Sequence, residues 1–208
     1  MTAEPSEGNY PRLAFVVGEG QVAVFFRHLQ QGVKIRRRTG CSVDVFLREE
    51  IGAVPETINK IQSIILDGKP VDDIGSALVH DGSVLALSAA MPGLVGATLR
   101  RGGAYSSFRG AITYQETEAA CMPGKGWVRV KIFNLLMAEM GPDLLRQGVL
   151  VSANDLLSLL MERAGELRPG CSVTLDGRSV DVGSLGEGAM PAGTDQVFLT
   201  VERRSASA

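Results

Sequence analysis

The chain is poor in the residues that build most catalytic and metal centres. Its 208 residues include two histidines, His28 and His80, and three cysteines, Cys41, Cys121 and Cys171. Three widely spaced cysteines form neither a disulfide framework nor a Cys-x-x-Cys metal pair, and two histidines with scattered acids define no zinc site. We therefore expect no metal and no cofactor. The cysteine usage predicts a reduced, cytoplasmic protein.

The sequence also lacks a strong charge excess and a long apolar run. Its formal net charge is -2, whereas a domain that grips nucleic acid usually carries a basic excess, so we expect no nucleic-acid partner. No apolar run approaches the ~20 residues that span a bilayer. Residues 1–8 are too polar for a secretory signal. We expect no association with a membrane.

Motifs of the common enzymes are absent from the sequence as well. There is no Gly-x-Ser-x-Gly elbow and no His-Glu-x-x-His pair. The glycine-rich stretch 93–103 lacks the Lys-Ser/Thr ending of a nucleotide-binding loop. The sequence therefore predicts a protein that is not an enzyme and has no catalytic residues.

One heptapeptide recurs about half a chain apart. Residues 66–72 read Leu-Asp-Gly-Lys-Pro-Val-Asp, and residues 175–181 read Leu-Asp-Gly-Arg-Ser-Val-Asp. Asp-Gly is a strong signal for a tight turn between strands. Asp67 and Asp176 are therefore interpreted as turn residues rather than as general acids or bases.

The surroundings of the first copy predict the order strand, strand, helix, strand, turn, strand. Residues 22–26 are rich in β-formers, and residues 33–38 alternate apolar with basic side chains, which predicts a half-buried strand paired with its predecessor. Further strands are predicted at 64–66 and 84–87. Ser42 can cap the helix, whose apolar positions are Val43, Phe46, Leu47 and Ile51.

The second copy has the same order of elements. Residues 128–133 alternate as a strand with 148–151 as its partner, and later strands are predicted at 173–175 and 197–201. Ser152 starts the helix with a capping-box-like pattern. The predicted apolar face of that helix comprises Leu156, Leu157, Leu160, Met161 and Ala164.

Each half therefore predicts a small α+β domain in which one main helix covers a mixed sheet. The first domain is predicted at 10–90 and the second at 127–204. Residues 91–126 are rich in glycine and arginine and are interpreted as a linker.

This order resembles the β-grasp (ubiquitin-like) family, and within it the small sulfur carriers of molybdopterin and thiamine synthesis. Residues 133–141 look like the carrier segment that follows the first strand, and 26–32 look like a shorter version of it. Residues 81–87 followed by Met-Pro-Gly at 91–93 look like the approach to a carrier tail. The resemblance implies two β-grasp domains in tandem.

A carrier works through the carboxylate of a C-terminal glycine, and the chain departs from that pattern. Residues 200–208 contain no glycine. A Leu-Arg-Arg-Gly-Gly stretch resembling a ubiquitin tail lies instead at 99–103, in mid-chain. Carrier chemistry would therefore require cleavage after Gly103 and activation by an E1-like adenylating enzyme.

The same stretch supplies the candidate binding residues. Glycine N–H groups together with arginines can hold a phosphate or a carboxylate, and an exposed segment of this kind can also dock a protein. The simpler alternative is a flexible linker. The candidate residues are Gly93, Gly96, Arg100, Arg101, Gly102, Gly103 and Arg109.

Two other local features are interpreted more simply. The basic run of Lys34, Arg36, Arg37 and Arg38 could meet an acidic partner, but it is interpreted as a solvated face or a guarded sheet edge. Cys41 stands near a predicted helix start, where its pKa could fall, but it is interpreted as an inert small residue.

Three functional hypotheses follow. The first is a non-enzymatic adaptor that binds a partner protein through its sheet faces and the linker. The second is a sulfur-carrier or modifier precursor cleaved at Gly103. The third is a protein that binds a small anionic ligand between the domains, near Arg100 and Arg101.

Overall fold

The protein has a mixed α+β fold with both parallel and antiparallel strand pairs. The structure, a computed structural model, describes residues 10–103, 109, 112–116, 123–167, 170–187, 190 and 193–204. Within these ranges, no helix combines the length and the apolar character needed to cross a bilayer.

Twelve strands and six α-helices are described. The strands are β1 Arg12–Val17, β2 Val33–Thr39, β3 Cys41–Ser42, β4 Ser63–Leu66, β5 Lys69–Pro70, β6 Leu78–Val79, β7 Val84–Ser88, β8 Gly124–Phe133, β9 Val149–Ser152, β10 Ser172–Leu175, β11 Arg178–Val180 and β12 Gln196–Arg203. The α-helices are α1 Phe26–Gln31, α2 Val43–Val45, α3 Pro55–Lys60, α4 Gly93–Leu99, α5 Leu136–Gln147 and α6 Ala153–Leu167. A π-helical segment, Phe46–Ile51, continues α2, and 3₁₀ turns lie at Gln21–Phe25 and Gly183–Glu187.

The chain divides into two compact units. The central unit is Lys34–Gly141, and the terminal unit combines Met1–Val33 with Pro142–Ala208. These boundaries differ from the predicted ranges 10–90, 91–126 and 127–204. The segment predicted as a linker belongs to the central unit together with β8, and the N-terminal residues belong with the C-terminal half.

The central unit contains a five-stranded sheet in the order β2-β8-β7-β4-β5 and a two-stranded sheet of β3 and β6. β7 and β8 are parallel, while β4 is antiparallel to both β7 and β5. The helical segment 43–51 buries the residues predicted for its apolar face, and Ser42 caps it through its hydroxyl. The buried strand residues include Ile35, Ile64, Leu66, Leu85, Leu87, Val128, Val130 and Ile132.

The terminal unit has a five-stranded sheet with a corresponding plan. Its order is β9-β12-β1-β10-β11. β1 and β12 are parallel, and every other neighbouring pair in this unit is antiparallel. In each unit a hairpin with an Asp-Gly turn therefore flanks a parallel pair. The turn residues Asp67 and Asp176 both have positive φ, with values of 51° and 49°, which confirms the predicted tight turns.

Each parallel pair joins one strand from each half of the chain. β8, from the second half, lies between β2 and β7 of the first half. β1, from the first half, lies between β12 and β10 of the second half. The halves have thus exchanged strands. The predicted pairing of residues 128–133 with 148–151 is accordingly wrong, because β9 pairs with β12.

The prediction of a strand at residues 22–26 is also wrong. These residues form the 3₁₀ turn Gln21–Phe25 and the first residue of α1. The buried positions are Val22, Phe25 and Leu29, a spacing of three and four residues that fits a helix rather than a strand. The ring of Phe25 packs against that of Phe15 on β1, with 5.1 Å between ring centroids. The first strand of the chain is therefore β1.

The apolar face of α6 is rotated relative to its prediction. Leu156 and Leu160 are buried as expected, but Leu159 and Leu167 are buried as well. Met161, predicted to be buried, is 75% exposed. The spacing of 156, 159, 160 and 167 defines a stripe that leaves Met161 outside it.

The repeated aspartates, Asp67 and Asp176, form hydrogen bonds with strands that occupy corresponding places in the two units. The carboxylate of Asp67 accepts a hydrogen bond from the N–H of Val84 at the start of β7, at 2.6 Å. The carboxylate of Asp176 accepts one from the N–H of Arg12 at the start of β1, at 2.9 Å. The backbone N–H groups of the two aspartates donate to the carbonyls of the same two residues. β1 therefore occupies in the terminal unit the place that β7 occupies in the central unit.

The strand exchange predicts that cutting the chain after Gly103 does not separate its two pieces. The N-terminal piece retains β1, and the C-terminal piece retains β8, so each piece supplies a strand to the other piece's unit. Withdrawing β1 would expose Leu13, Phe15 and Val17, all fully buried, at a cost of roughly 5–9 kcal/mol. With a specific protease site inserted after Gly103, we expect the cut protein to elute as one species in native gel filtration and as two in denaturant. Separate elution under native conditions would contradict the exchange, and the uncut insertion variant is the control.

His28 predicts a loss of stability at acidic pH. Burial lowers the pKa of His28 to about 4, an effect that exceeds the opposing influence of Asp155, and its Nε2 has no hydrogen-bond partner in the described structure. Below pH 6.5 this histidine is protonated in the unfolded chain. In the folded chain it stays neutral until the pH falls to about 4. Stability is therefore complete above pH 6.5 and declines as the pH falls towards 4. Between pH 7.5 and 5 we expect a loss of about 2 kcal/mol in the free energy of unfolding, measured by urea titration with circular dichroism. In a His28→Leu variant the loss in the free energy of unfolding over the same pH interval should be about 2 kcal/mol smaller. An unchanged pH dependence in this variant would refute the assignment of the effect to His28.

Candidate functional site

The candidate residues lie in the central unit on and after α4. Pro92 precedes the helix, and Gly93 has a φ of 76°, a value that favours glycine. Gly96 is buried so closely against the backbone of Met91 that a Cβ at this position would lie 1.6 Å from the Met91 carbonyl oxygen. Gly93 therefore allows the backbone turn at the start of α4, and Gly96 allows the close approach of Met91.

The outer side of α4 presents apolar side chains to solvent. Leu94 is 75% exposed and Val95 is 62% exposed. Gly96, the next residue of the helix, is buried, so exposure changes sharply along α4. Sequence reasoning named the glycines and arginines of this segment but missed Leu94 and Val95, although two adjacent apolar residues in a glycine-rich stretch were a visible signal.

The segment after α4 is tied into the central unit. The N–H of Arg101 donates to the carbonyl of Gln62 at 2.7 Å, and the N–H of Gly103 donates to the carbonyl of Arg100 at 3.1 Å. Gly102 adopts a φ of 61°, which lets the chain fold back. The diglycine is therefore part of a hydrogen-bonded turn.

Arg109 is the buried anchor of this segment. Its side chain is 3% exposed and forms an ion pair with Asp72, with 2.6 Å between Nη2 and Oδ1. The same Nη2 donates to the carbonyl of Arg100 at 3.1 Å, and Nη1 lies 3.4 Å from the hydroxyl of Thr113. Arg109 therefore links the end of α4 to the loop after β5.

The following residues continue along the same side of the central unit. The N–H of Tyr114 donates to the carbonyl of Pro70 in β5 at 2.8 Å. Its hydroxyl lies 2.9 Å from Glu116, and Glu116 in turn lies 3.3 Å from Nε2 of His80. Part of the predicted linker thus forms contacts with Pro70 of β5 and with His80, which follows β6.

The arginines of the predicted cluster differ in their burial and in their ion-pair partners. Arg109 contributes its guanidinium to Asp72 and to the carbonyl of Arg100, whereas Arg100 and Arg101 have no ion-pair partner within the described ranges. Arg100 is exposed and Arg101 is half-buried. The charge of Arg109 is matched inside the fold, so only these two arginines offer a positive charge to a binding partner.

The two described cysteines, Cys41 and Cys171, are free thiols and partly buried. Burial raises the pKa of the thiols of Cys41 and Cys171, which lowers the fraction of reactive thiolate. Cys121 lies outside the described residues. No group of three His, Cys, Asp or Glu side chains among the described residues could hold a metal ion.

A groove in the terminal unit was not anticipated from the sequence. It lies between the α1 region and α6, with Phe26, Arg27, Leu159 and Glu162 among its lining residues. Arg27 and Glu162 form an ion pair at 2.7 Å. Arg163 and Glu166, which also line the groove, form a second ion pair.

Comparisons with family models, with curated proteins and with solved structures found no match to this chain.

The burial of Arg109 predicts that this side chain holds the segment in place. In an Arg109→Met variant, Asp72 and the carbonyl of Arg100 lose their charged partner, but water reaches the partly exposed Asp72. We expect a loss of about 1–3 kcal/mol in the free energy of unfolding, with faster proteolysis between residues 100 and 116. The matched control is Arg146→Met, because Arg146 pairs with Asp143 at an exposed site and its loss should change stability by less than about 0.5 kcal/mol. Equal effects in the two variants would argue against an anchoring role.

Proposed function

We propose that this chain is a non-enzymatic adaptor built from two β-grasp (ubiquitin-like) units, and that it binds a partner protein through α4 and its sheet faces. The observation that carries the proposal is the exposure of Leu94 and Val95 on a helix whose following segment is hydrogen-bonded into the central unit. Burying two such side chains against a partner contributes roughly 1.5–3 kcal/mol each.

The anchoring of α4 supports this role. Binding is weakened when a segment must first become ordered, so a preformed surface loses less free energy on association. The N–H of Arg101 donates to the carbonyl of Gln62, and Arg109 donates to the carbonyl of Arg100, so the chain that follows α4 is held in the central unit. Arginine is enriched in protein interfaces, and the exposed Arg100 lies close in the chain to the apolar pair.

The strand exchange favours an adaptor over a carrier precursor. Cleavage after Gly103 would be needed before an E1-like adenylating enzyme could activate this glycine. The piece ending at Gly103 would still contain β1, which is embedded in the terminal unit, and would still hold β8 of the other piece. Such a cut would free no independent carrier domain.

The state of Arg109 bears on the third hypothesis, a small anionic ligand. A phosphate or carboxylate bound by the cluster would compete with Asp72 for a buried guanidinium. This leaves the exposed Arg100 and the half-buried Arg101 as ligand groups. These two side chains support a small-ligand site less strongly than Leu94 and Val95 support a protein-binding surface.

The proposal predicts a crosslink and a loss of affinity at α4. A photo-crosslinking amino acid at position 94, used in the protein's own cells, should trap a partner that mass spectrometry can identify. The purified partner should then bind a Leu94→Ser/Val95→Ser variant at least 10-fold more weakly than the unaltered chain, as measured by calorimetry.

Met161→Ser is the matched control, since Met161 is as exposed as Leu94 but lies on α6 of the terminal unit. It should leave the affinity unchanged within about 2-fold. No trapped protein at position 94, or the same loss in both variants, would refute docking through α4.

A further inference from the structure

The strands β2 and β8 of the central unit alternate between buried apolar residues and partly exposed basic residues. In β8, Val128, Val130 and Ile132 are buried, whereas Arg129 and Lys131 are partly exposed. In β2, Val33 and Ile35 are buried, whereas Lys34 and Arg36 are partly exposed. Because successive side chains point to opposite faces of a sheet, the basic residues share the face away from the core.

The neighbouring strands add small apolar side chains to this face. Val84 lies opposite Arg129 in the register of β7 and β8, and Ala86 lies opposite Lys131. Ile65 of β4 lies opposite Ala86. We name this surface the basic sheet face; it comprises Lys34, Arg36, Ile65, Val84, Ala86, Arg129 and Lys131.

Three cations of the basic sheet face are not matched by acids. Within the described ranges, no carboxylate lies within ion-pair distance of Arg36, Arg129 or Lys131. Arg38, at the far end of β2, is by contrast paired with Glu49 and Glu50. The chain as a whole carries a net charge of -2, so this positive surface is local and not the result of a general basic excess.

Like charges on adjacent strands repel one another, which destabilises the free protein. Arg129 and Lys131 are two residues apart on β8, a separation of ~7 Å, and Arg36 lies on the neighbouring strand β2. An acidic partner neutralises these charges and so removes the repulsion. Complementary potentials also speed the encounter of the two proteins and select the partner.

We propose that the basic sheet face docks an acidic segment of the partner protein, in which carboxylates alternate with small apolar side chains. This inference rests on the adaptor function and names the chemistry of its partner. Carboxylates meet Arg36, Arg129 and Lys131, while the intervening side chains contact Val84, Ala86 and Ile65. A single-stranded nucleic acid fits less well, because it uses several aromatic side chains for base stacking, whereas the alternation of β8 places one aromatic residue, Phe133, beside Lys131 on this face.

The test uses the full chain and a labelled peptide of alternating glutamate and valine, with fluorescence anisotropy as the readout. We expect binding that weakens at least 10-fold in an Arg36→Gln/Arg129→Gln/Lys131→Gln variant, and that weakens as salt rises from 50 to 150 mM.

A control variant with Arg163→Gln, Arg178→Gln and Arg203→Gln removes the same charge from the terminal unit and should change binding by less than about 2-fold. Thermal melting checks that both variants are folded, and a lysine–valine peptide should not bind the unaltered chain.

Three outcomes would overturn the proposal: no binding of the acidic peptide at 50 mM salt, an equal loss in both triple variants, or tighter binding of a single-stranded oligonucleotide of the same charge. The Leu94→Ser/Val95→Ser variant separates this inference from the adaptor function. It should bind the peptide normally. If a partner is trapped at position 94 but the triple variant at the sheet face binds it as well as the unaltered chain does, the sheet-face inference fails and the adaptor function stands.

Discussion

The parallel pairing of strands from opposite halves of the chain is the constraint on which both units depend. β7 pairs with β8 in the central unit, and β1 pairs with β12 in the terminal unit. Parallel strands need a long connection, and here each connection is a large part of the chain. Neither half of the sequence contains the strands of one complete sheet, so each half requires the other in order to bury its own apolar residues.

Short polar contacts fix which strand fills each place. Asp67 and Asp176 bind the backbone N–H at the start of β7 and β1 respectively. Asp81 similarly accepts a hydrogen bond from the N–H of Trp127 in β8, and a Cβ on the neighbouring Gly126 would lie 2.5 Å from the same carboxylate oxygen. An aspartate therefore contacts three of the four strands in the parallel pairs, at the start of β7 and of β1 and at the fourth residue of β8. The repeated Asp-Gly turns specify strand placement as well as chain reversal.

The sequence was sufficient to predict the elements with local signals, and insufficient for those set by tertiary pairing. The Asp-Gly turns, the caps at Ser42 and Ser152, and most strands depend on neighbouring residues, and these predictions are confirmed. Which strands pair is decided by contacts between residues far apart in the sequence. Residues 22–26 have a β-rich composition but form helical turns, because Val22, Phe25 and Leu29 are buried at helical spacing. The segment of the candidate site was identifiable from its glycines and arginines. The burial of Arg109 was not, because its partner Asp72 lies 37 residues away.

The basic sheet face follows from the same exchange of strands. Arg36 belongs to β2 in the first half of the chain, whereas Arg129 and Lys131 belong to β8 in the second. If each half formed its own sheet, these cations would lie on separate domains, and the run at 34–38 would be the solvated strand face that the sequence suggests. Placing β8 next to β2 brings the cations onto one surface. The surface proposed for an acidic partner therefore exists only in the strand-exchanged fold, and a change that prevents β8 from entering the central unit should abolish binding of an acidic segment along with the sheet.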